Sequence, residues 1–294
     1  MTDATLDTVA AEAAEARRSK VTDGWTRLQR NHMAVVGMVI FMLIVLTCAL
    51  GPDVLGLDPE AQDYSVISEG PSFANGHFFG TDDLGRDLLV RIMMGGRVSL
   101  EIGVLGALIA VVIGTAYGAI AGYTGGATDQ IMMRIVDVLY GLPFLFFVIM
   151  LGMVFERGML TILIAIGSLI WLTTAVIVRG QTLSLKQKEF IEAARAGGMK
   201  PLSIIRRHIV PNTIGPVIVY ASLLVPEVIL GESFLSYLGL GLDSSLGALI
   251  SDGAKALDVA PYQLFFPGAT LALVLFSLNF IADGLRDAFD PKDR

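Results

Sequence analysis

The chain is 294 residues long, 54% hydrophobic and 17% charged, with a mean hydropathy of +0.67. Soluble domains do not carry that much apolar surface, so these values exclude a soluble globular protein and leave an all-α polytopic membrane protein. A net charge of −7 would suit an acidic soluble protein, but across a bilayer the placement of the two signs matters more than their sum, and the single cysteine, Cys48, excludes an intrachain disulfide.

Residues 1–24 are rich in Ala, Glu, Asp and Thr and have no sustained apolar face, which predicts a flexible tail. Arg17, Arg18, Lys20, Arg27 and Arg30 precede a first spanning run, Met33 to Leu50, and place the tail in the cytoplasm. The run is long enough to span, and the acidic tail before it is too long for a cleavable signal peptide. Residues 51–95 then turn acidic, with Asp53, Asp58, Glu60, Asp63, Glu69, Asp82, Asp83 and Asp87 against Arg86 and Arg91, which predicts an extracytoplasmic loop. Within it Gly80-Thr81-Asp82-Asp83-Leu84-Gly85-Arg86-Asp87 clusters aspartates. Their spacing lacks the alternate-position ligands and closing Glu of a calcium loop, so no metal site is predicted.

The second run, Leu100 to Ala121, carries Gly114, Gly118 and Gly122 at four-residue spacing, a smooth face that permits close helix packing. The third, Ile131 to Phe155, is expected to kink at Gly141 and Pro143, a feature that suits static packing or gating. After an outside turn at Glu156-Arg157 the fourth run, Met159 to Val178, returns the chain to the cytoplasm at Arg179.

Residues 180–212 are a polar, cationic island. Phe190, Ile191 and Ala194 predict the apolar face of a short helix from near Lys188, stopped by Gly197-Gly198. Pro201 opens a second helix carrying Leu202, Ile204, Ile205 and Ile209, which Pro211 closes. Two such helices joined at Gly198 make a projecting knob, suited to a lipid surface or a protein groove. The fifth run, Ile214 to about Leu230, leads into Gly231-Glu232-Ser233 and the apolar Phe234 to Leu242, which either extends the span or re-enters the membrane. An acid at membrane depth is costly, so Glu232 is a candidate for a pathway or interface role, or for an interior structural partner. The other acids lie mainly near helix ends, poor equipment for a proton relay. An outside segment, Asp243 to Gln263, precedes the last run, Leu264 to Ala282, and the basic end Arg286, Lys292 and Arg294. The six spans put both termini and the cationic island on the cytoplasmic side and the acidic loop on the other.

No Gly-x-x-x-x-Gly-Lys-Ser/Thr, His-Glu-x-x-His or Gly-x-Ser-x-Gly occurs, so neither catalysis nor a cofactor on this chain is predicted. An ion-coupled secondary transporter should show intramembrane ion ligands or an internal repeat, and neither is evident. Uphill transport would then draw its energy from another subunit.

The residues of the knob point further. Glu192-Ala193-Ala194, Gly198 six positions after the Glu, and Pro211 a further thirteen on resemble the cytoplasmic coupling loop of ATP-binding-cassette (ABC) importer permeases. Arg207-His208-Ile209-Val210-Pro211-Asn212 resembles its ending in the peptide-importer branch. From Trp25 to Arg294 the chain is similar to the oligopeptide/dipeptide importer permeases (OppC/DppC-like), most of all to the oligopeptide member. Other signs are Arg30-Asn31, the Gly80 to Asp87 segment, Arg179 to Lys186, Glu232-Ser233-Phe234-Leu235-Ser236, Ser251-Asp252-Gly253-Ala254 and Asp283 to Arg294. It departs from that pattern at the shorter Leu242 to Gly247 segment, which lacks a Trp, and at His208 and Val210.

The resemblance implies a type I importer fold over residues 25–294, in a bacterial inner membrane. It makes Glu192, Ala193, Ala194 and Gly198 the ATPase-coupling positions. It also implies a homologous second permease, one or two ABC ATPase subunits that hold ATP and magnesium, an extracytoplasmic peptide-binding protein and surrounding lipid, but no nucleic acid. The cargo it implies is oligopeptides, with dipeptides, glutathione-like compounds and nickel chelates as alternatives.

Overall fold

A backbone out of reach of water must satisfy its own hydrogen bonds, so each long apolar run becomes a helix. The computed structural model describes residues 26–289 apart from 57, 156 and 157. The expected tail, the turn at Glu156-Arg157 and the last five residues lie outside the described residues. In chain order the helices are α1 (His32–Leu55), α2 (Leu88–Thr124), α3 (Gly126–Tyr140), α4 (Phe144–Val154), α5 (Met159–Leu185), α6 (Glu189–Ala196), α7 (Pro201–Ile204), a π-helical turn Ile205–Ile209, α8 (Val210–Tyr237), α9 (Leu246–Lys255) and α10 (Tyr262–Phe289). Five helical runs are long and apolar enough to cross a membrane, and α3 with α4 makes a sixth, broken one. Among the described residues there is no strand beyond one isolated bridge between Thr81 and Asp87.

α2 is the centre of the bundle and packs on α5, α8, α1 and α9. Glycine makes each of these contacts close. A Cβ built on Gly114 would stand 2.5 Å from Cβ of Thr174, and one on Gly122 would stand 2.8 Å from Cβ of Thr182, while one on Gly118 would collide with the Ala175 carbonyl, all on α5. The predicted four-residue row is thus the α2–α5 seam. Gly103 and Gly106 face Ile229 and Val228 of α8, Gly95 faces the start of α9, and Gly96 faces the buried Cys48 of α1.

The start of α1 and the end of α10 meet at one end of the bundle. Asn31 caps α1 by accepting from Met33 and Ala34 N–H and reaches Asp287 at 3.5 Å. Counting helices from there, the 186–209 segment lies at this same end, while residues 56–87 and α9 lie at the opposite one.

Two local features differ from expectation, and one open alternative is decided. The third span is not a kinked helix but two halves at 85°. Pro143 denies Leu142 the helical region and caps α4 instead, which turns a kink into a break. Pro211 does not close the second knob helix. The π turn, closed by Val210 N–H on the Ile205 carbonyl, makes room for a residue without an N–H, and Asn212 Nδ2 donates to the His208 carbonyl at 2.5 Å. Pro201 to Tyr237 is therefore one continuous helical run. That run also absorbs Phe234–Tyr237, and the chain turns at Gly239 (φ +76°), so Phe234 to Leu242 is not a re-entrant segment.

Substituting Gly118 by Ala forces a Cβ against the α5 backbone, and the expected cost is about 1–3 kcal/mol. Gly268→Ala, with nothing within 4 Å of its Cβ, is expected to be neutral. Thermal unfolding of the two detergent-solubilised variants checks the difference.

Candidate functional site

The knob is seated by isoleucine. Ile191, Ile204, Ile205 and Ile209 are buried against Ala119 and Tyr123 of α2, Val178 of α5 and Val217 of α8. Residues spaced three and four apart share a helix face, so α6 buries Ile191 and, in part, Ala194. Phe190, expected on that inner face, is instead 43% exposed and lies beside the His208 ring. Glu192, Ala193 and Gly198 are exposed, together with Leu202 at 71%. Three of the four sequence-derived coupling positions are therefore exposed, and Ala194 is half-buried. Gly198 adopts φ +77° with nothing within 4 Å of a Cβ, so the turn itself, and no neighbour, asks for glycine.

Charges brace the seat. Arg179 of α5 makes a bidentate pair with Asp129 of α3 at 2.5 and 2.6 Å. Two cations, Lys186 and Arg195, lie over the Tyr123 ring, each 5.8 Å from its centroid.

Glu232, the other sequence-derived candidate, is fully buried between α2, α8 and α9. Its carboxylate accepts from Ser99 Oγ at 2.8 Å, Ser236 Oγ at 2.7 Å and Ser233 Oγ at 3.4 Å. Ser99 Oγ in turn accepts from Leu246 N–H, the first residue of α9, at 3.4 Å. This placement supports an interior brace. Glu227, not among the sequence-derived candidates, lies well inside α8 and is exposed. The signal was there: an acid within the fifth apolar run meets the same criterion that singled out Glu232. Glu227 lines a cleft of about 320 Å³ with Tyr140, Leu142, Phe144, Ile166 and Thr173.

Residues 114–294, more than half of the chain, match the family described as the binding-protein-dependent transport system inner membrane component. The chain belongs to this family. Residues 19–71 match the N-terminal transmembrane domain of oligopeptide transport permease C. The oligopeptide transport system permease OppC of Haemophilus influenzae is 52% identical over 280 residues, 94% of this chain and 90% of that one. The OppC of Escherichia coli K12 is 51% identical over 280 residues, 94% and 93% of the two chains. Among solved structures, a chain of the MetNI methionine ABC transporter in inward facing conformations has a TM-score of 0.52 at 17% identity, covering 69% of this chain and 96% of that chain. That likeness concerns the fold alone, while the family match and the relatives make the chain a permease in a multi-pass membrane protein.

The permease uses its Gly80 to Asp87 segment as a structural clasp. Asp82, almost fully buried, accepts from Arg91 at 2.6 Å, Arg86 Nε at 2.8 Å, and the backbone N–H of Leu84 and Arg86 at 2.9 Å. Burial alone would push Arg86 down, but hydrogen bonds and charge from Asp82, then Glu60, outweigh it and raise it. The Thr81 carbonyl accepts from Tyr262 Oη and Gln263 Nε2, fastening the loop to α10. Asp87 caps α2 and pairs with His77 at 2.8 Å. Asp252 reaches Arg91 at 3.9 Å, and Gly253 lets α9 lie directly on Gln263.

Glu232→Ala removes the acceptor of three hydroxyls and leaves a void, for an expected loss on the order of 2–4 kcal/mol. Ser233→Ala, whose bond is long, is expected to cost less than about 1 kcal/mol. The thermal midpoints of the two purified variants separate these outcomes.

Proposed function

We propose that this permease forms one half of the pathway of an ATP-driven peptide importer, with a homologous second permease as the other half. The carrying observation is the knob: a surface held rigidly by four buried isoleucines, with Glu192, Ala193 and Gly198 turned outward. A small-residue surface of this kind can dock closely in a protein groove, and its rigid seat would transmit displacement into α2, α5 and α8. We assign the groove to an ABC ATPase, one or two subunits of which hold ATP and magnesium, because this chain has no phosphate loop of its own. Glu192 would accept hydrogen bonds there.

The knob end carries Lys186, Lys188, Arg195, Lys200, Arg206 and Arg207, and residues 56–87 at the other end are acidic. This asymmetry supports a cytoplasmic knob, cytoplasmic termini and an outer face that receives an extracytoplasmic binding protein. Oligopeptides are the preferred cargo, supported by the names of the relatives at 52% and 51% identity. Dipeptides, glutathione-like compounds and nickel chelates are the alternatives the same machinery would suit.

Co-purification with candidate ATPases tests the reading. Asp is tolerated in the left-handed region, so Gly198→Asp adds charge and bulk to the surface while keeping the turn. It and Glu192→Arg are expected to lose ATPase assembly or cargo-stimulated ATP hydrolysis at least about tenfold, the scale of one lost charge-assisted contact. A wild-type chain that binds no ATPase and moves cargo down an ion gradient would instead make it a secondary transporter.

A further inference from the structure

The two acids of α8 are only five residues apart and are treated oppositely. Glu232 is saturated by serines, whereas Glu227 has no hydrogen bond or ion pair among the described residues. Glu227 lies ten residues from Tyr237, about 15 Å down the helix. Thr173, across the cleft, lies at the middle of α5 and shares a 2.8 Å hydrogen bond with Tyr140 at the end of α3. The cleft is thus near mid-height of the bundle. Two of its features are incompatible with lipid: a carboxylate without a partner, and the irregular backbone at Leu142-Pro143. They share one cleft, so that cleft faces a polar occupant.

Charge fixes the sign of that occupant. Glu227 is the only Asp, Glu, Lys, Arg or His of the lining. The carbonyl end of α3 and the amide end of α4 meet at the break, so their opposite poles largely offset and leave the carboxylate dominant. Size narrows it further. About 320 Å³ is at the low end for a ligand pocket, enough for one residue of a peptide rather than its whole length. The walls suit an amphipathic group: Phe144, Ile166 and Ile170 are apolar, and the Tyr140 and Thr173 hydroxyls are polar. Linear peptides of unrelated sequence share one cationic group, the α-ammonium, and it always sits beside a single side chain.

The geometry points to Glu227 as the group that receives the α-ammonium of the cargo's N-terminal residue during passage. This deepens the importer reading and rests on it. The test is ATP-driven uptake into proteoliposomes containing the full transporter, with tetra-alanine and N-acetyl-tetra-alanine as probes, for wild type, Glu227→Gln and Glu227→Asp. Any preference of the binding protein is common to all three and cancels when the two uptake rates are compared as ratios. Glu227→Gln is expected to slow tetra-alanine about tenfold or more while leaving the acetylated peptide unchanged, and Glu227→Asp to restore most of the difference. Equal slowing of both peptides by Glu227→Gln, or of neither, overturns the assignment. Loss of the second permease from the purified Glu227→Gln complex overturns it too, because the carboxylate would then pair with a cation of that subunit. If wild type moves neither peptide, the peptide-importer reading itself fails and takes this assignment with it.

Discussion

Close approach of α2 to its neighbours sets the geometry of the bundle. Helices in lipid gain little from hiding apolar surface from one another, since the lipid is apolar as well, so contact must come from shape. Glycines on different faces of α2 supply it: Gly114, Gly118 and Gly122 toward α5, Gly103 and Gly106 toward α8, Gly96 toward α1 and Gly95 toward α9. Toward α5 and α9 the glycines meet backbone atoms, and toward α8 and α1 they meet buried side chains, so little room is left in which a shift could be absorbed, and close-packed interiors transmit strain. The helix also joins the two ends of the molecule. Arg91, near its start, holds the clasp through Asp82, and Tyr123, near its finish, forms part of the knob's seat.

The clasp explains how so acidic a segment is fastened to the bundle. Asp82 combines roles that usually fall to separate residues, accepting backbone N–H groups of its own turn and two guanidinium groups. A buried ion pair recovers its desolvation cost only when every remaining donor and acceptor is met, and Asp82 satisfies that condition. The aspartates of Gly80 to Asp87 are therefore not interchangeable, since Asp82 holds arginines and its own turn while Asp87 caps α2. The positive φ of Gly80 and Gly85 bends the chain into that arrangement.

The spans were legible because membrane depth demands long uninterrupted apolar runs, and the cationic island was legible because it interrupts them. The α2–α5 seam could be read from three glycines at regular spacing, and the knob's first helix from Ile191, Ala194 and the glycine pair. What escaped depends on partners distant in the chain. α2 begins at Leu88 and not near Leu100, because its polar first turns are completed by Asp82, Asp252 and the serines around Glu232. Pro211 reads locally as a stop, and only the π turn before it, held by Asn212, lets the helix pass through. Pro143 reads locally as a kink, and the 85° break becomes visible only in three dimensions. Phe190 faces outward because Ile191 and three isoleucines from the next turns already fill the seat.

Glu227 escaped for a different reason: a single carboxylate barely lowers the average hydropathy of a long span, so a search for runs passes over it. The same averaging hides how differently two acids on one helix can be used. Five residues advance a helix by about 140°, which turns Glu232 toward α2 and α9 when Glu227 is turned toward the cleft beside α5. On the inner side, Ser99, Ser233 and Ser236 supply the donors that a carboxylate needs when water is absent, and the charge is silenced by its own neighbours. On the cleft side the neighbours are Leu142, Phe144 and Ile166, which supply none, and the nearby hydroxyls of Tyr140 and Thr173 are engaged with each other. A bundle that provides three hydroxyl donors for one acid and none for the other has left the second to be satisfied from outside the chain. The place it does so is where the third span is broken, with Leu142 of the break in the same cleft wall.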